Sequence, residues 1–151
     1  DEVTTDFDIA LIRLATPAQQ GRAIPIISAD VDVPSGSEVV VSGWGTLAEG
    51  GLGSPDLMRA FVPVVANDEC NKPASYGGRV TERMFCAGFR LGGVDSCQGD
   101  SGGPVWSSIN DVPTLVGAVS WGEGCARAVK YVIYTRVSKF LDWIAQNRGA
   151  S

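Results

Sequence analysis

Asp95-Ser96-Cys97-Gln98-Gly99-Asp100-Ser101-Gly102-Gly103-Pro104 is the most informative stretch of this 151-residue sequence. It sets a serine in a glycine-rich turn with an acidic residue just before it. Such a turn exposes a hydroxyl and aims successive backbone N–H groups at one point. Acyl transfer needs both features: a nucleophile, and preorganised donors where negative charge develops on a carbonyl oxygen. Gly99-Asp100-Ser101-Gly102-Gly103 also fits the G-x-S-x-G nucleophile turn, a short pattern that is weak by itself.

Around this stretch the sequence alternates short apolar runs with Gly, Pro, Ser, Asn and Asp, the pattern of an all-β sandwich or barrel. Strands are expected at Ile9–Leu14, Glu38–Trp44, Met58–Val65, Met84–Gly88, Gly103–Trp106, Thr114–Trp121 and Tyr131–Val137, most of them rich in β-branched or aromatic residues. Thr46–Ser54 reads as a mobile surface loop, and residues 15–30 as a connector rather than a strand pair. Asn67–Cys70 starts a short helix capped by Asn67 or Asp68. From Ser138 the period changes: Phe140 with Ile144, and Leu141 with Ala145, predict an amphipathic helix to about Asn147 with Ser138 as its N-cap.

The charge balance is 12 basic against 17 acidic residues, with 44% apolar and 19% charged. That composition is globular, and its acidity argues against a phosphate-backbone binder, so no nucleic-acid partner is expected. No apolar run approaches the ~20 residues of a membrane span, so no membrane partner is expected either. The opening Asp1-Glu2-Val3 lacks the basic region of a signal peptide and reads as mature or internal sequence. Four cysteines allow three pairings, and their spacing favours two disulfides in a secreted protein over four free thiols. None of it suits a metal site, and no cofactor is expected.

Histidine is absent. Its absence removes every Ser-His or Cys-His pair housed within these residues. A Ser-Lys dyad stays formally open, but Lys72, Lys130 and Lys139 sit in no motif.

The longer string Asp95-Ser96-Cys97-Gln98-Gly99-Asp100-Ser101-Gly102-Gly103-Pro104 resembles the active-serine segment of the chymotrypsin-fold, trypsin-like serine proteases. Three more segments match in that family's order. Asp8-Ile9-Ala10-Leu11-Ile12-Arg13-Leu14 resembles the segment of the triad aspartate. Val41-Ser42-Gly43-Trp44-Gly45 resembles the first strand of the second barrel. Ser120-Trp121-Gly122-Glu123-Gly124-Cys125-Ala126 resembles the strand that binds substrate backbone. The style is nearest that of bacterial trypsins with few disulfides, because a further cysteine pair of vertebrate trypsins is replaced together by Val39 and Ser107. Of three triad orders, only the chymotrypsin order places histidine before both aspartate and serine. A histidine upstream of Asp8 is therefore the expectation.

The resemblance implies an all-β fold: the second antiparallel six-stranded barrel of a double barrel, a C-terminal helix and the last strand of the first barrel. Residues 1–30 would end the first barrel and connect, 31–137 form the second barrel, and 138–151 the helix and tail. Ser101 would be the nucleophile and Asp8 the orienting carboxylate of a histidine supplied by the N-terminal part of the same protease. Gly99 and Ser101 N–H groups would form the oxyanion hole. Asp100 would pair with a newly freed α-amino group, and without that cation the Asp95–Gly99 segment would rest in a zymogen-like state; its plainer reading is a turn cap. Asp95 would select a substrate Arg or Lys, with Ser96, Gln98, Ser120, Trp121 and Gly122 also binding substrate. Val132 departs from the family, replacing a glycine on the pocket wall, so it would narrow the slot and partly shield Asp95. The same comparison implies the bridges Cys70–Cys86 and Cys97–Cys125.

The expected activity is peptide-bond hydrolysis by a secreted endopeptidase, with peptide or protein substrates and protein protease inhibitors as partners. The 151 residues alone would be inactive. The rival reading is a non-catalytic homologue that serves as a binding or regulatory module.

Overall fold

The computed structural model describes residues 4–149. Asp1-Glu2-Val3, read above as mature or internal sequence, and the last two residues of the expected tail lie outside the described residues. Six strands form a closed antiparallel barrel: β1 (Glu38–Gly43), β2 (Met58–Val65), β3 (Met84–Ala87), β4 (Pro104–Ile109), β5 (Val112–Trp121) and β6 (Val132–Arg136). Their order around the barrel is β1-β2-β3-β6-β5-β4. Closure leaves no free sheet edge among them. The structure is thus the expected all-β six-stranded barrel.

The period-two pattern sets which residues face inward. In β2, Val62 and Val64 are buried while Arg59 and Phe61 point out. They meet Val39 and Val41 of β1, Phe85 of β3, Val105 of β4, Val116 of β5 and Tyr134 of β6 in the main core. Each such side chain contributes about 1.5–3 kcal/mol on burial. A second cluster joins Tyr76, Val80, Met84, Tyr131 and Ile133 around Cys70 and Cys86.

Both expected disulfides are present, Cys70–Cys86 and Cys97–Cys125, with Cα separations of 6.8 and 5.2 Å. Their loops of 16 and 28 residues correspond to roughly 3 kcal/mol each in the chain-entropy picture.

Several local readings change. Ile9–Leu14 forms no strand among the described residues, and Ile12 is 87% exposed. A strand needs a ladder partner, and this segment has none here. Residues 15–30 hold no named strand or helix, and they are anchored where Ile27 N–H donates to Leu115 O and Leu115 N–H to Pro25 O. The short helix α1 (Asn67–Cys70) takes Ala66 as its N-cap. Asn67 instead sends its amide to the carbonyl oxygens of Thr81 and Met84. At the C-terminus a 3₁₀ turn (Val137–Phe140) precedes α2 (Leu141–Asn147), so Ser138 lies inside the turn rather than capping. Burial of Val137 and Phe140 decides that geometry over the cap signal.

Candidate active site

The 97–103 turn is built from backbone bonds that leave its tip free. Asp100 N–H donates to Cys97 O, Gly102 N–H to Val119 O and Gly103 N–H to Asp100 O. Gly99 and Gly102 have φ of 94° and 76°, the left-handed region that glycine enters without steric cost. Gly99 and Ser101 N–H groups donate to no acceptor among the described residues. Ser101 itself is exposed.

Asp100 turns inward. Its Oδ1 accepts Gly45 N–H at 2.9 Å and its Oδ2 accepts Cys97 N–H at 3.0 Å. A Cβ on Gly43 or Gly45 would run into this carboxylate. That close approach is the physical reason for two glycines in Val41-Ser42-Gly43-Trp44-Gly45. A cavity of ≈ 200 Å³ beside it is lined by Val41, Gly43, Met58, Asp95, Cys97 and Asp100.

Asp8 is held against β5 and β6. β5 shifts register between Val119 and Trp121, so Ser120 is the extra residue of a bulge. Bulges re-aim a side chain. Ser120 Oγ donates to Asp8 Oδ2 at 2.6 Å, and Thr135 Oγ1 donates to the Asp8 carbonyl at 2.6 Å.

A second cavity of ≈ 210 Å³ brings together Ser96, Gln98, Ser101, Ser120, Trp121, Gly122 and Val132. Seven of the residues singled out in the sequence thus line one cavity. Asp95 is absent from that lining and lines the Asp100 cavity instead. Burial pushes the Asp95 carboxyl up to about 7, against the opposing pull of the Ser96 and Ala126 N–H groups. Ser96 is buried, with its Oγ 3.5 Å from Tyr134 Oη. Burial raises the Tyr134 hydroxyl well above its ordinary value. Val132 is buried at 5% exposure, and its Cγ2 lies 3.6 Å from where a Cβ on Gly122 would sit. The valine side chain therefore occupies space beside Gly122.

Gln98 is engaged with the Thr46–Ser54 loop rather than with the cavity alone. Its Oε1 accepts Thr46 Oγ1 at 3.1 Å and Gly50 N–H at 3.3 Å. Glu49 of that loop pairs with Arg127, which holds its carboxyl below the usual range.

Sequence reasoning missed the support beneath Trp121. Tyr76 meets its ring edge-on at 4.8 Å, and the Arg79 guanidinium lies 4.6 Å from the ring centre. Tyr76 Oη donates to Tyr131 O at 2.6 Å and accepts Glu123 N–H at 3.3 Å. Lys130 and Arg79 both pair with Glu123, at 2.7 and 3.0 Å, and lower its carboxyl pKa. The hydrogen bonds of Tyr76 and Arg79 to Tyr131 and Glu123 span 44 to 55 positions, so no local pattern marks them. No group of three or more His, Cys, Asp or Glu side chains among the described residues is placed to hold a metal ion.

A closed six-stranded barrel, a short C-terminal helix and a glycine turn presenting serine beside two free amides are the features of a chymotrypsin-fold serine protease. The chain belongs to the trypsin family, whose family model, described as Trypsin, matches residues 1–144. It is 45% identical over 152 residues to Trypsin 5G1 of Aedes aegypti, covering 99% of this chain and 56% of that protein. It is 43% identical over 150 residues to the anionic trypsin of Bos taurus, covering 98% of this chain and 58% of that protein. It is also 43% identical over 148 residues to transmembrane protease serine 11C of Mus musculus, covering 95% of this chain and 34% of that protein. The chain spans little more than half the length of the two trypsins. These relatives are animal proteins, so they lend nothing to the bacterial likeness. No described helix is long and apolar enough to cross a membrane.

Proposed function

We propose that these residues are the C-terminal part of a secreted serine endopeptidase that cleaves peptide bonds through an acyl-enzyme. Ser101 Oγ attacks the scissile carbonyl carbon, and its proton passes to a histidine supplied by the protease's N-terminal part. Asp8 orients that histidine and stabilises its charged form. The carbonyl oxygen, now negative, takes the Gly99 and Ser101 N–H groups. The histidine then gives its proton to the leaving amine, and water releases the acyl group by the same route. Residues 1–30 belong to the end of the first barrel and the connector, 31–137 to the second barrel, and 138–151 to the helix and tail.

One observation carries this reading. Ser101 stands exposed beside two undonated N–H groups, in a cavity that also holds Ser120, the residue gripping Asp8. Preorganised donors of this kind are the largest single contribution in acyl transfer. Asp95 favours a substrate Arg or Lys at the bond to be cleaved. Asp100 is the anchor for a freed α-amino group. An extended peptide lies along Ser120-Trp121-Gly122, and protein inhibitors that mimic it are partners. Family membership supports secretion.

A second reading, a non-catalytic homologue that binds without cutting, draws on Val132. Its side chain sits beside Gly122, and Asp95 lines the other cavity.

The test compares hydrolysis of Arg, Lys, Phe and Ala esters by the chain joined to its N-terminal part, with Ser101→Ala as control. Turnover that is lost in Ser101→Ala and fastest on Arg or Lys is the expected result. A Phe or Ala preference contradicts the role of Asp95, and no turnover on any ester favours the binding module.

A further inference from the structure

The turn that carries Asp8 is fastened to the barrel by a second set of residues outside the site. Asp6 is only 6% exposed. The Arg83 guanidinium grips its carboxylate with two prongs: Nε lies 3.0 Å from Oδ1, and Nη2 lies 2.6 Å from Oδ2. Thr81 Oγ1 and Phe7 N–H also donate to Oδ1, at 3.1 and 3.0 Å. The same guanidinium stacks 4.5 Å from the centre of the Phe7 ring, which meets Phe140 edge-on at 6.1 Å. Asp6 and Arg83 are 77 positions apart, so this is a tertiary fastening and not local turn chemistry.

The backbone it holds is strained. Thr5 and Phe7 have φ of 54° and 59°, in the left-handed region. A non-glycine residue there is disfavoured and persists only when its surroundings over-determine it. Residues 10–20 are exposed within these 151 residues, and here the contacts that fix Asp8 are those of Ser120 and Thr135. Its orientation depends on the turn before it and on Ser120 and Thr135.

We propose that Arg83 is a positioning residue for Asp8. By clamping Asp6 and stacking on Phe7, it holds the left-handed turn that aims the Asp8 carboxylate at Ser120. The fork geometry of arginine matters here, because two parallel bonds fix direction as well as distance. This inference rests on the protease reading above.

The test has two arms. In the 151-residue chain, Arg83→Ala is expected to speed amide exchange at Phe7 and Ile9 at least tenfold, with the core amides of Val62 and Val116 unchanged. In the chain joined to its N-terminal part, the same variant is expected to lower kcat on a small ester tenfold to a hundredfold, the usual result of misplacing a catalytic group by about an ångström. KM should change less than twofold, and the fraction of Ser101 that an active-site titrant labels should stay the same. Arg83→Lys, which keeps the charge without the fork, should recover only part of kcat. Unchanged kcat in an Arg83→Ala enzyme whose wild type is active overturns this proposal alone. A loss explained wholly by fewer titratable sites also overturns it, since that marks a folding defect. A wild-type enzyme inert toward ester and titrant overturns the protease reading and this proposal with it.

Discussion

The Ser120 hydroxyl meets the Asp8 carboxylate at 2.6 Å across 112 positions of sequence. Ser120 is the extra residue of a β-bulge in β5, and the turn before Asp8 has left-handed backbone at Thr5 and Phe7. Ser120→Ala therefore removes a hydrogen bond to a charged acceptor, worth about 1.5–3 kcal/mol. In the joined enzyme, kcat should fall about tenfold or more with KM little changed. Steady-state kinetics on a small ester read this directly.

Val132 is the residue most open to a gain of function. Val132→Gly should clear the space beside Gly122 and connect Ser101's cavity with Asp95. The expected result is at least a tenfold rise in kcat/KM on an Arg ester, with no rise on an Ala ester. The variant should also lose about 1–3 kcal/mol of stability, because a buried strand residue loses its side chain and gains backbone freedom. Ester kinetics and a denaturant titration together check both halves.

Asp95 gives stability a pH dependence of definite sign. Its folded carboxyl, raised from the usual 3.8 to about 7 by burial, holds a proton that the unfolded chain has released. The stability this provides is complete below the unfolded value and is lost as pH rises through about 7. The upper bound is roughly 4 kcal/mol. Unfolding free energies at several pH values between 4 and 8 should fall with pH, and Asp95→Asn should flatten the slope. Binding of an arginine side chain should likewise tighten as Asp95 ionises.

Asp6 works in the opposite direction. The Arg83 hydrogen bonds hold its carboxyl below the ordinary range, against a smaller raising effect of burial. Its contribution is present above the unfolded value and is lost as pH falls through the lower folded one. Asp6→Asn should cost about 1–3 kcal/mol near pH 6, discounted for the partial exposure of Arg83. The difference from wild type should shrink as pH falls below the unfolded carboxylate value. Parallel acid titrations of the two proteins give the comparison.

The barrel was legible because its signal is local. Period-two burial in Met58–Val65 and the glycine-bounded runs of β1 and β5 each mark a strand without reference to distant chain. The serine turn was legible for the same reason, since its glycines and Ser101 are consecutive. Ile9–Leu14 reads as a strand by the same rule, yet a strand exists only with a partner, and none stands beside it among the described residues. Ser138 and Asn67 were misread as caps because tertiary contacts of Phe140 and Asn67 override a short local motif. The clamp of Asp6 by Arg83 and the Tyr76–Trp121–Arg79 stack join residues tens of positions apart, where nothing in the local sequence links them. Histidine's absence acquired its meaning only from the order of Asp8 and Ser101.

Ser101 is proposed above as a nucleophile whose base comes from outside these residues. A fluorophosphonate forms a covalent bond to an activated serine oxygen and releases fluoride, so labelling followed by peptide mass analysis locates the nucleophile. One label per molecule, on Ser101, is expected when the chain is joined to its N-terminal part, with negligible labelling of the 151 residues alone. Labelling on another residue, no labelling of the joined enzyme, or equal labelling of the chain by itself would contradict it.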